Sequence, residues 1–320
     1  MRAVVIAAQG GPEVLEYAEH PDPVAGPGEV VVDVAASGVN FIDIYQRSGV
    51  YPLQLPSPIG CEGAGTVAAV GPGVTGFAVG DTVGWANVLG SYAEKAVVPA
   101  DRLVPVPDGV GADLAAATLL QGMTAHFLTR STHEVKEGDR VLVHAGAGGM
   151  GQLLIQLAKL YGATVHTTVS TDEKAKLARA AGADEVHSYD DFARTLKDSI
   201  DVVYDGVGAT TFDGGLTALR PRGLMALYGA ASGPVPPMDP QMLNRSGSLF
   251  LTRPTLVHHI AEREELLWRA REVFGWIAAG QLRIDVSHRH LRARLGRGVE
   301  QAGAVRLVCE ACAGAGMRAG

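Results

Sequence analysis

Cysteine is scarce: Cys61, Cys309 and Cys312 are the only three in 320 residues. Three thiols cannot knit a disulfide framework, so a reducing cytoplasm is the expected home. No apolar run approaches the roughly 20 residues a membrane-spanning helix needs. The opening stretch MRAVVIAAQGG turns polar too early for a secretion signal, so membrane insertion is not expected. Positive charge is in deficit, 27 Lys and Arg against 34 Asp and Glu, and the net charge of −7 argues against a nucleic-acid partner. Aromatic residues reach only 6%, and there is neither a repeat nor a heptad array. What is abundant is glycine, 41 residues, and hydrophobic side chains at 47%. That composition supplies tight turns and, at about 100–200 residues per domain, two cores.

The first 110 residues read as β-rich. Val/Ala runs at 2–7, 29–36 and 65–70 are bounded by turn clusters at 21–28, 71–74 and 80–81. An Ala/Leu-rich stretch at 112–129 reads as helix. From about residue 139 strands and helices alternate, with strands expected at 140–144, 164–169, 201–204, 224–228 and 248–251 and helices at 150–161 and 172–181. Such alternation predicts an α/β fold built on a Rossmann-like, doubly wound parallel sheet. The division expected is a β-rich catalytic domain over 1–122, a dinucleotide-binding domain over 123–260, and a segment over 261–320 that returns to the first domain.

The strongest chemical signal is VLVHAGAGGMG at 141–151, in which Gly146, Gly148 and Gly151 satisfy GxGxxG. The pattern alone is weak. Here an apolar strand precedes it, and Met150, Leu153, Leu154, Leu157 and Tyr161 form one helical face after it. Glycines let the backbone approach a pyrophosphate whose charge sits on the N–H groups of the helix start. About 20 residues on, an NAD site carries Asp or Glu; this chain has Ser170 and Thr171, then Lys174. Hydroxyls and an ammonium would hold a 2′-phosphate that a carboxylate would repel, so NADPH is the expected cofactor. Asp172 and Glu173 fall in a first helical turn, where they complement its dipole.

Seven segments carry a resemblance: GVNFIDIYQRSGVYP (38–52), GCEGAGTV (60–67), LQGMTA (120–125), the glycine turn, STDEKA (170–175), VVYDGVG (202–208) and SLFLTRPTL (248–256). Together they resemble the zinc-independent NADPH:quinone oxidoreductases, the ζ-crystallin-like branch of the medium-chain dehydrogenases/reductases, from residue 1 to about 286. The resemblance implies a GroES-like catalytic domain, a Rossmann domain and a homodimer paired through the strand near 248–254. It implies that Asn40, Tyr45 and Tyr51 line a quinone pocket, Asn40 also touching the cofactor. Gln121 and Thr124 would lie near the nicotinamide ribose, and Gly148, Gly149 and Met150 would hold the pyrophosphate. Ser170, Thr171, Lys174 and Tyr189 would read the 2′-phosphate end, and Val207, Tyr228, Gly229, Phe250 and Thr252 the nicotinamide half.

Zinc-dependent relatives in that superfamily hold a catalytic zinc with a Cys, a His followed by Glu, and a second Cys. The matching positions here are Asn40, Cys61–Glu62 and Leu120, which cannot make a three-ligand site. Without a Lewis acid, a quinone or another electron-poor acceptor is the expected substrate, since it takes hydride without strong activation. No His or carboxylate stands out as a general acid. Two alternatives stay open: reduction of enones, alkenals or enoyl thioesters, and non-catalytic NADPH binding as a sensor or structural protein.

After about residue 287 the resemblance fails. From Gln281 to Gly320 there are seven Arg and three acidic residues. Either 305–308 is a divergent closing strand, or the Arg/Ala/Gly-rich end reflects a shifted reading frame, the account we favour from sequence. The lone Cys309-x-x-Cys312 is weak as a metal motif, and Arg289, Arg292, Arg294 and Arg297 read as a solvated face.

Overall fold

A computed structural model describes residues 1–286, 288–291 and 306–309. They divide into two units: Met1–Leu120 with Ala261–Ala278 and the described residues from Ile284 onward, and Gln121–Ile260 with Ala279–Arg283. Among the described residues, no helix is long and apolar enough to cross a membrane.

The first unit opens with β1 (Arg2–Ile6), β2 (Glu16–Glu19), β3 (Glu29–Gly38), α1 (Phe41–Ser48), β4 (Ser57–Pro58) and β5 (Glu62–Val70). It continues with β6 (Thr82–Ala86), β7 (Lys95–Pro99), β8 (Val104–Pro105) and α2 (Ala112–Ala116). The expected strands at 2–7, 29–36 and 65–70 are thus β1, β3 and β5. β3 is the spine, pairing antiparallel with β5 on one side and β7 on the other. Every second residue of it, Val30, Val32 and Val34, enters a core with Val67, Val83, Trp85, Val98 and Leu103. Val4, Ile6, Val39, Ile59 and Tyr92 form a second cluster beneath the small sheet β2-β1-β4.

The helix expected over 112–129 is broken. α2 ends at Ala116, and α3 (Leu119–Phe127) starts afresh. Propensity along this Ala/Leu-rich run is continuous, so the break is imposed by a tertiary contact. The Glu62 carboxylate from β5 accepts the backbone N–H of Leu120 at 2.7 Å and caps the new helix.

The second unit runs β9 (Arg140–Val143), α4 (Gly149–Leu160), β10 (Thr164–Thr168), α5 (Asp172–Ala180), β11 (Glu185–His187) and α6 (Phe192–Thr195). It then runs β12 (Ile200–Asp205), α7 (Phe212–Ala218), β13 (Leu219–Leu227), α8 (Gln241–Arg245), β14 (Phe250–Thr252) and α9 (Leu256–His259). Its six strands pair in the order β11-β10-β9-β12-β13-β14, every pair parallel. Numbered from β9, that is 3-2-1-4-5-6, the doubly wound dinucleotide-binding order. Leu153, Leu154, Leu157 and Ala158 of α4 are buried. Leu142, Val203 and Met225 of the sheet pack with Phe192, Phe212 and Leu216 from α6 and α7.

The chain then adds α10 (Arg263–Ala278) to the first unit, where the Arg263 guanidinium donates to the carbonyls of Asp101 and Leu103. β15 (His288–Leu291) pairs antiparallel with β16 (Arg306–Cys309), which lies parallel to β3. A closing strand expected at 305–308 therefore has a counterpart in β16. Cys312, Arg292, Arg294 and Arg297 lie outside the described residues.

Candidate active site

In the second unit the site forms beyond the carboxyl ends of the parallel strands. The order reverses between β9 and β12, the position where such sheets bind ligands. The turn after β9 is held closely: a Cβ on Gly146 would meet the Thr167 hydroxyl at 2.0 Å, and one on Gly151 the Ala145 carbonyl at 2.3 Å. Ala145 itself adopts the left-handed region, φ 56°. Gly148 is different, since a Cβ there would meet only the Ala145 carbonyl, at 3.3 Å. The chain leaves room at that point for a ligand to approach. Gly148 is the N-cap of α4, so the N–H groups of Gly149 and Met150 in its first turn have no intrahelical acceptor and suit an anion.

At the end of β10 the Lys174 ammonium donates to the Ser170 hydroxyl at 3.1 Å, one helical turn away. Thr171 caps α5, its hydroxyl accepting the Lys174 N–H at 3.3 Å, so its role in the fold is to start that helix. Tyr189, half-buried after β11, stacks on the His144 ring, centroids 6.4 Å apart. It therefore reaches the glycine turn after β9 from the end of β11, two strands away in the sheet. Burial holds His144 down to about 4, hence neutral, with Nδ1 paired to the Thr168 hydroxyl at 2.8 Å.

Val207, Tyr228 and Gly229 are brought together by Asp205, a residue the sequence reading passed over. Its buried carboxylate accepts the Val207 and Gly208 N–H groups at 2.7 and 2.9 Å and the Thr211 hydroxyl at 2.8 Å. Its carbonyl accepts the Tyr228 N–H at 2.8 Å. Gly229 presses on Gly206, where a Cβ would meet the Gly206 carbonyl at 2.5 Å. Phe250 and Thr252 follow on β14, Thr252 in register with Ala226 of β13. Gln121 and Thr124 are half-buried one turn apart on α3, while Met123 and Ala125 face the core. Of the sequence-expected residues, the glycine turn, Ser170, Thr171, Lys174, Tyr189, Val207, Tyr228 and Gly229 follow the carboxyl ends of β9 to β13, whereas Phe250 begins β14 level with Leu224.

The first unit holds Asn40, Tyr45 and Tyr51. Asn40 is the N-cap of α1, 4% exposed. Its N–H donates to Asp43 at 2.8 Å, and its side-chain amide donates to Glu62 at 2.7 Å. Tyr45 packs tilted against Phe41 and against Tyr51, centroids 5.3 Å apart in both pairs. Phe41 was not singled out from sequence, although its spacing of four from Tyr45 on a helix carried the signal. Beneath lies a buried acidic network: Tyr92 donates to Asp43 at 2.8 Å, and the Cys61 thiol donates to Gln46 at 3.2 Å. Burial pushes Glu62 up to about 8 and Asp43 up to about 6, and it raises the Cys61 thiol as well. At the positions that match zinc ligands there stand an amide whose NH₂ is given to Glu62, a single thiol beside a carboxyl, and a leucine, short of the three ligands a catalytic zinc needs. These groups do not fit a zinc ion.

A family model described as alcohol dehydrogenase GroES-like domain matches residues 26–108, and one described as zinc-binding dehydrogenase matches residues 149–267. A quinone oxidoreductase of Pseudomonas aeruginosa is 44% identical over 305 residues, spanning 92% of this chain and 94% of its own. A 2-haloacrylate reductase of a Burkholderia species is 41% identical over 300 residues, spanning 89% of this chain and 90% of its own. The solved structure of Escherichia coli quinone oxidoreductase complexed with NADPH superposes with a TM-score of 0.88 at 40% identity, over 90% of this chain and 91% of that one.

Proposed function

The chain belongs to the quinone oxidoreductase family of the medium-chain dehydrogenases/reductases, and from that premise we propose that it reduces quinones with NADPH by metal-free hydride transfer. The observation that carries the reading is the end of β10. There a hydroxyl–ammonium pair, Ser170 and Lys174, stands where a carboxylate would select NAD. The related enzyme of Escherichia coli, complexed with NADPH, supports the same choice.

Bound at this sheet end, NADPH supplies a hydride from C4 of its nicotinamide. The N–H groups of Gly149 and Met150 would hold the pyrophosphate, with Gly148 leaving the backbone bare. Ser170 and Lys174 would hold the 2′-phosphate, with Tyr189 on the adenosine side. Val207, Tyr228 and Gly229, fixed by Asp205, would serve the nicotinamide half together with Gln121, Thr124, Phe250 and Thr252. In the first unit Glu62 fixes the Asn40 amide, and Tyr45 and Tyr51 present their rings and hydroxyls to the acceptor. Those hydroxyls stabilise the oxygen on which negative charge develops. One hydride and one proton turn a quinone into its quinol, and the proton comes from solvent. A quinone suits a site whose donor set offers no Lewis acid, because it needs none to accept hydride.

The same reading includes a homodimer in the cytoplasm. β14 is the edge of the six-stranded sheet and exposes Phe250 (61%) and Leu251 (36%), an apolar edge that pairing with a second copy would cover. The paucity of cysteine supports a reducing compartment. Steady-state oxidation of NADPH and of NADH with a simple 1,4-quinone tests the proposal. A strong NADPH preference is expected. Turnover of an enone but of no quinone would assign the chain to the other reductase class.

A further inference from the structure

On β10 and β11, His166, Glu185 and His187 converge. β11 supplies Glu185 and His187, which lie two apart and so share a face of the sheet. β10 supplies His166, in register with Glu185. Nδ1 of His166 lies 3.3 Å from Nε2 of His187 and 3.4 Å from Oε2 of Glu185, and those last two atoms are 3.6 Å apart. A tetrahedral zinc ion with ligands at about 2.0–2.1 Å spaces them roughly 3.3–3.4 Å apart. A point equidistant from the three atoms lies about 2.0 Å from each, within the range of zinc–nitrogen and zinc–oxygen bonds.

We propose that His166, His187 and Glu185 form a binding site for a divalent cation of the zinc class, with a water molecule as the fourth ligand. The two imidazoles are held by the sheet, their side chains 1% and 9% exposed, while Glu185 is 58% exposed and leaves that side open to water. Two imidazoles and one carboxylate suit zinc, cobalt or nickel far better than calcium or magnesium. The site is not the catalytic one. His166 lies inside β10, whereas Ser170 comes two residues after that strand ends. An ion there would clip the three-residue edge strand β11 to β10.

One neighbour opposes the ion and makes the proposal sharper. Nη2 of Arg140 lies 3.3 Å from Nε2 of His166. Ligation through Nδ1 leaves the proton on Nε2, so Arg140, an exposed residue, must turn into solvent when the metal binds. Replacing Arg140 therefore strengthens binding, the opposite of what removing a polar residue does at a nonspecific site.

The test is titration of chelator-stripped full-length protein with Co²⁺, read by its visible absorption bands, and with Zn²⁺, read by calorimetry. One ion per chain is expected. Because disturbing even outer-shell partners of a metal weakens binding about 10–100-fold, His187→Gln and Glu185→Gln each weaken it by at least about tenfold. Arg140→Met tightens it, and Cys309→Ser with Cys312→Ser leaves it unchanged. Glu185 is on the surface, so its variant keeps the test open should the His187 variant fold poorly. Absence of saturable binding overturns the proposal. So does binding that ignores the Glu185 and His187 variants, or that disappears with the two cysteines.

Discussion

Glu62→Gln tests the buried acid beside Asn40. The Glu62 carboxyl is 1% exposed and accepts two hydrogen bonds of 2.7 Å, from the Leu120 N–H and the Asn40 amide. Gly38 makes room for it, since a Cβ there would meet Oε2 at 2.1 Å. Burial pushes the group up to about 8, with the charge of Asp43 adding to the effect. The unfolded chain ionises the same group near 4.3, so between those values the folded protein holds one proton more than the unfolded. Stability contributed by the protonated acid is complete at low pH and falls as pH rises through 8. From about pH 6.5 to 8.5 the fall amounts to roughly 2 kcal/mol, at about 1.4 kcal/mol per pH unit below the folded value. Few other shifted groups act in that window: His144, His166 and His187, being lowered, still add a little up to about pH 7.5, Asp43, raised to about 6, has spent its own, and the raised Cys61 thiol adds a small decline only as pH nears about 8.5. Glutamine cannot titrate, and its NH₂ faces one of the two donors, which costs about 1–3 kcal/mol at every pH. Urea unfolding at fixed pH, extrapolated to water, should give a wild-type stability that declines across the window and a Glu62→Gln stability that is lower and nearly level between about pH 7 and 8. Parallel declines in the two proteins would refute the buried protonated acid.

At the cofactor end, Lys174→Ala should raise KM for NADPH about tenfold, the worth of one charge-assisted phosphate contact, and leave KM for NADH unchanged. Gly151→Ala drives a Cβ against the Ala145 carbonyl at 2.3 Å, so thermal unfolding should shift down by several degrees and NADPH should no longer raise the midpoint. Leu251→Asp puts charge on the β14 edge, and light scattering should report half the wild-type mass.

Much of the second unit was legible because β9, β12 and β13 carry apolar runs, and β10, in which only Val165 is apolar, is a β-branched stretch between two helices. β11, three residues with the sequence Glu-Val-His, is too short to show any period. The Ser170–Lys174 pair could be read directly, being four apart at the head of one helix. Glu62 and Asn40 are 22 residues apart in sequence, and their bond depends on how β5 lies beside the start of α1. The break between α2 and α3 has the same origin, since local propensity favours one helix and only the Glu62 cap divides it. Asp205 lies in the VVYDGVG segment that resembles the family, yet its hold on Val207, Gly208 and Thr211 appears only once β12 ends in a turn. The His166–Glu185–His187 cluster depends on the register of two parallel strands, which no spacing in the chain reveals.

The most direct measurement is the initial rate of NADPH oxidation with a 1,4-quinone, run beside NADH and repeated in the presence of a strong chelator. The expected result is turnover that prefers NADPH and is unchanged by chelation, because the proposed hydride transfer and the proposed Ser170–Lys174 phosphate site call for no metal. Equal rates with NADH, or activity abolished by the chelator and restored by zinc, would contradict it.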